Sequence, residues 1–140
     1  MPEMTTEELM QLLATTSTNA ERVRGLLELL TPRMLARATG ATSPSTLRNW
    51  STGHTQPREH AAIVIDDLRI TACMLLGAGL EPERVARWFA SRHAGRFDGL
   101  RPFEAITADP MDVLAAAVGE ADRSRAKRDA PLVLVGGAAD

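Results

Sequence analysis

The residues with the most suggestive chemistry lie between positions 42 and 58. Thr42, Ser43, Ser45, Thr46, Arg48 and Asn49 stand close together, and His54 and Arg58 follow them. An arginine grips guanine through two hydrogen bonds and an asparagine does the same with adenine. Serine and threonine hydroxyls contact bases or phosphates. The start Ser43-Pro44-Ser45 also offers backbone N–H groups to a phosphate at a helix N-terminus. His54 and Arg58 flank such a helix and suit contacts to the nucleic-acid backbone.

Groupings that could support catalysis are weaker. His54, His60 and His93 lack metal-ligand spacing, and the single cysteine, Cys73, cannot complete a zinc site. Asp66 and Asp67 are neighbours on a helical stretch and diverge by about a hundred degrees, so they read as a solvated face. There is no phosphate-cradling glycine loop and no Ser-His-Asp set on a strand–turn–helix frame. The expectation is a protein that is not an enzyme and binds no metal or cofactor.

Charge sharpens the picture. The 140 residues carry a formal charge of −2, but fields act locally. Residues 1–30 hold five acids and two arginines; residues 59–140 hold 13 acids and 10 bases. Between them, residues 31–58 hold Arg33, Arg37, Arg48 and Arg58 and no acid, a net +4 against −3 on either side. Arginine in place of lysine (15 against one) is what a GC-rich genome writes, whereas a 28-residue stretch without a carboxylate is not explained by codon usage.

The elements that must position these groups are helical. Thr5-x-x-Glu8 and Thr18-x-x-Glu21 read as capping boxes. Thr31-Pro32, Ser43-Pro44 and Asp109-Pro110 place proline just after a capping residue, where a helix loses no hydrogen bond. Pro82 and Pro102 precede apolar periodic runs, and Gly40, Gly53, Gly77 or Gly79, and Gly119 mark helix stops. The pattern predicts helices near 5–15, 19–30, 32–38, 44–51, 59–76, 82–91, 102–107 and 110–118, hence an all-α protein. In the longest, Ala61, Ile65, Leu68, Ala72 and Leu75 recur at helical steps, and Cys73 among them reads as a small core residue.

The acid-free segment matches a helix-turn-helix. Leu35-Ala36 sits in a short helix, Gly40 supplies the left-handed turn residue, and Leu47 and Trp50 form the buried face of a second helix. Trp50-Ser-Thr-Gly53-His-Thr-Gln-Pro57-Arg58 resembles the helix exit of Xre-type regulators. From Gly40 to Leu47 the chain holds one residue more than the commonest spacing, so the turn must bulge. Four arginines neutralising three or four phosphates, each adding about −0.9 to the salt slope, bind weakly. A homodimer on two half-sites about one helical turn apart is therefore the expected arrangement on duplex DNA.

Further on, Trp88-Phe89 ends a helix, Gly99 and Arg101 lie in a loop, and Pro102-Phe103-Glu104-Ala105-Ile106 precedes a short helix with Val113 and Leu114. This pattern, with the helix-turn-helix, resembles the Xre-MbcA-ParS antitoxins over roughly residues 20–118. The resemblance implies a small helical dimer that represses its own operon and neutralises a toxin, usually one with a RES domain that acts on NAD. It also implies that Trp88, Phe89, Arg101, Pro102 and Phe103 organise a toxin-binding module and that the C-terminal tail plugs the toxin.

The residues themselves suggest that Trp88, Phe89 and Phe103 anchor a core, whereas Phe97, between Arg96 and Asp98, faces a partner, with Arg96 a candidate contact beside it. Pro131-Leu132-Val133-Leu-Val either orders on a partner or stays disordered, and Leu132 and Val133 are its candidate contacts. The resulting division is an N-terminal helix or arm (1–18), a helix-turn-helix domain (19–77), a toxin-binding-like module (78–118) and a mobile basic and apolar tail (119–140). The N-terminus lacks the basic-then-apolar pattern of a signal peptide, and no apolar run approaches the ~18 residues of a membrane span, so a cytoplasmic protein is expected. A stand-alone regulator of a phage or mobile element, and a helical adaptor that binds an acidic protein, are the alternative functions.

Overall fold

A computed structural model describes residues 4–129 of the chain. Among them the regular structure is entirely helical: α1 (Thr6–Ala14), α2 (Asn19–Leu27), α3 (Pro32–Thr39), α4 (Pro44–Thr52), α5 (Glu59–Gly77), α6 (Pro82–Ala90), α7 (Pro102–Ala105) and α8 (Pro110–Asp129), with a 3-10 turn at Phe97–Gly99. None of these helices is long and apolar enough to cross a membrane.

Local chemistry explains where the helices begin. Both capping boxes form, with Thr5 accepting from the Glu8 N–H and Thr18 from that of Glu21. The returning Glu21 carboxylate is held below its ordinary pKa, chiefly by the Ser17 backbone N–H and then by the Thr18 hydroxyl. Pro32, Pro44, Pro82 and Pro102 each occupy a first helical turn.

The hub is α5, whose buried residues run from Ala61 through Val64, Ile65, Leu68 and Ala72 to Leu76. It packs against α1, α2, α3, α6 and α8. Buried side chains from Leu9 to Ala121 form a single apolar cluster. The 77/78 boundary drawn from the sequence therefore falls where α5 hands over to α6 within one continuous core, and the turn Gly77–Leu80 buries Ala78 and Leu80 in it. Cys73 is half-buried against this core, where burial pushes its thiol pKa up.

Three local expectations are revised. The second helix stops at Leu27 rather than 30, and the following turn still buries Leu29 and Leu30. A 3-10 turn forms over residues 97–99. The last helix does not stop at Gly119 but runs on to Asp129, so residues 119–129 belong to α8 rather than to a tail. Its added turns are tied down. Ala121 is fully buried, Arg84 reaches Glu120 at 3.2 Å, and an Arg128 N–H donates to the Ala78 carbonyl at 3.0 Å. A glycine inside a helix costs only about 0.5–1 kcal/mol, which contacts of this kind outweigh.

Candidate nucleic-acid interface

Two helices and a four-residue connection hold the candidate site. The Thr31 hydroxyl accepts from the Met34 N–H at 3.1 Å and starts α3. Gly40 ends it with φ 80°, and its N–H donates to the Ala36 carbonyl at 2.8 Å. An L side chain is strained at that φ, so glycine serves here through its backbone. Ala41, the residue after it, is packed against the core. Gly40 is the only residue of the connection with positive φ, so the longer turn is accommodated without further left-handed backbone.

The second helix, α4, starts at Ser43. Its Oγ lies 3.4 Å from the Thr46 N–H, 2.9 Å from the Ser45 Oγ and 3.2 Å from the Thr46 Oγ1. Leu47 and Trp50 are buried, fixing the orientation of the helix against α2 and α3. Arg24 on α2 donates to the Ser51 carbonyl at 2.6 Å, and the Thr55 N–H donates to the Asn49 carbonyl at 3.2 Å.

With Leu47 and Trp50 inward, helical geometry brings Ser45 and Asn49 to the middle of the outer face, with Arg48 on one flank and Thr46 on the other. Ser45 and Arg48 are exposed; Thr46 and Asn49 are half-buried. Thr42 and Arg58 are exposed and line one cleft of about 520 Å³ with Thr46. His54 is exposed just past Gly53, at the far end of α4. The eight residues thus share two adjoining surfaces rather than a single row. Thr52 was missed by the sequence argument: it is exposed and lies seven residues after Ser45, on the same helical face. That spacing was the available signal.

The arginines separate into two groups. Arg33, Arg48 and Arg58 are exposed and make no ion pair among the described residues. Arg37, by contrast, meets Glu104 of α7 at 3.3 Å. The stretch without an acid in sequence therefore has one beside it in space. A Thr107 hydroxyl also donates to the Ala38 carbonyl at 3.0 Å, fastening the α7 end to α3.

The residues expected to meet a partner are mostly turned inward. Trp88 is 6% exposed and Phe103 7%, consistent with the core-anchor reading, and Pro102 is buried with them. Phe97, expected to face outward, is only 9% exposed. Its ring lies edge-on to His93 at 6.3 Å, and His93 in turn sits 5.2 Å from Trp88 and hydrogen-bonds the Trp88 carbonyl at 3.0 Å. Phe97 and Asp98 both adopt left-handed φ, 55° and 52°, a conformation costing of order 1–3 kcal/mol per residue. The buried ring offsets part of that cost.

Arg101 is half-buried and donates to the Ala90 carbonyl at 2.8 Å, closing the end of α6. Of the expected partner contacts within the described residues, only Arg96 is fully exposed; Leu132 and Val133 lie outside them.

Comparison with protein-family models, with curated protein sequences and with solved structures found no match.

Proposed function

We propose that this chain is a helix-turn-helix repressor that binds duplex DNA as a homodimer, with α4 as the helix that enters the major groove. The observation that carries the reading is the outer face of α4. It presents Ser45, Asn49 and Arg48, beside Arg33 and Arg58, and none of these arginines is engaged by a carboxylate among the described residues. Hydroxyl, amide and guanidinium groups are the donors and acceptors that read base edges, and the surrounding cations favour phosphate.

On the resemblance of residues 80–118, we further propose that it is an antitoxin whose C-terminal half engages a RES-type, NAD-acting toxin. The exposed residues there include Arg96, Leu100 and Met111, the last two being 42% and 71% exposed.

A gel-shift titration with the protein's own promoter at low salt tests the DNA reading. A shift lost steeply on raising salt is expected; its absence at every concentration overturns the reading and leaves the adaptor alternative. Co-purification with the product of the neighbouring reading frame tests the antitoxin reading. A lone gene with a palindromic operator makes the chain a stand-alone regulator.

A further inference from the structure

The N-terminal turns of α3 and α4 open onto one shallow cavity of about 480 Å³. Pro32, Arg33 and Ala36 line it from α3, and Ala41, Thr42 and Pro44 from the connection and the start of α4. Its walls are almost wholly apolar, for a structural reason. Both helices open with proline, which has no N–H, and the capping hydroxyls of Thr31 and Ser43 are turned onto the Met34 and Thr46 N–H groups.

The setting of this cavity is cationic. Arg33 stands at its edge with no carboxylate partner among the described residues, none of the residues lining the cavity is acidic, and it adjoins the α4 face through Ser43, whose hydroxyl lies 2.9 Å from that of Ser45. The surroundings therefore select a polyanion, while the walls offer almost nothing to hydrogen-bond. A polyanion with an apolar group on its readable edge is duplex DNA, where thymine presents a C5-methyl in the major groove. RNA lacks that methyl, and its major groove is too narrow for side chains to read.

We infer that this cavity receives a thymine C5-methyl, next to the bases that Ser45, Arg48 and Asn49 contact, and so fixes thymine at one or two positions of each half-site. The inference rests on the DNA-binding reading above and adds the base that the apolar surface selects.

The test selects preferred duplexes from a random pool with the full chain at low salt. Binding to the selected site is then measured by fluorescence anisotropy with each thymine replaced in turn by deoxyuridine, which removes only the methyl. Loss of one buried methyl should weaken binding about three- to fivefold at one or two positions per half-site. Pro44→Ser, and independently Ala41→Ser, should reduce that preference towards unity, with circular dichroism reporting that each variant is folded. A selected duplex indifferent to deoxyuridine at every position overturns the inference and leaves DNA binding standing. So does a deoxyuridine effect that persists in full in either folded variant. A pool from which no duplex is enriched overturns the DNA-binding reading and this inference together.

Discussion

Arg48 stands on the exposed face of α4 with no carboxylate partner among the described residues, so its guanidinium is available to a base. Arg48→Ala should cost about 1–3 kcal/mol in binding to the preferred duplex and relax selectivity at one position, read by titration at fixed salt. Arg58→Ala, at the margin of the site, should weaken all sequences alike and lower the salt slope by about one. Asp67 on α5 has a different role. Asp66 beside it is paired with Arg69 at 2.7 Å, but Asp67 has no such partner among the described residues. Burial, and then the Asp66 charge, raise its pKa above the ordinary 3.8. The folded chain thus holds this proton more tightly than the unfolded chain, so stability falls as pH rises from about that value through the raised one. Asp67→Asn should raise the melting temperature at pH 7, and the gain should shrink as the pH is lowered below that window.

Two glycines at the ends and middle of helices should respond oppositely to one added methyl. Gly40 has left-handed φ although nothing lies within 4 Å of an added β-carbon, so Gly40→Ala should destabilise by about 1 kcal/mol through backbone strain alone. Gly119 sits inside α8, where a β-carbon meets only an Arg123 nitrogen at 3.5 Å; Gly119→Ala should stabilise by about 0.5–1 kcal/mol. Denaturant titrations separate the two signs. The contact between α7 and α3 bears on the proposed function. Glu104 holds Arg37 at 3.3 Å and accepts from the Arg101 N–H at 3.0 Å. Glu104→Gln keeps an oxygen for that N–H and frees the arginine, so it should strengthen DNA binding about two- to threefold at low salt, with the gain vanishing at high salt.

At the scale of the molecule, one core among the described residues joins segments that composition alone divides. Residues 119–129 read as tail-like because they are polar and charged, yet they extend α8 over Ala121 and bring Arg128 to the Ala78 carbonyl. Removal of residues 119–140 should therefore cost about 2 kcal/mol of stability, from the lost apolar contact and hydrogen bonds, measured by denaturant unfolding. DNA binding by the shortened chain should fall only as far as its unfolding dictates.

Helix starts were legible because a cap or a proline acts within four residues: Thr5 on Glu8, Thr18 on Glu21, Thr31 on Met34, Ser43 on Thr46. The same locality made the outer face of α4 readable, since burial of Leu47 and Trp50 leaves Ser45, Arg48 and Asn49 on other faces. The charge imbalance of residues 31–58 also belongs to the sequence alone. Tertiary structure decided what depends on distant partners. Phe97 turns inward because the common apolar core takes up its ring, and α8 continues because Glu120 and Arg128 meet groups 36 and 50 residues away. Arg37 loses its apparent freedom to Glu104 for the same reason. Burial and ion pairing are set by neighbours in space, which local pattern does not specify.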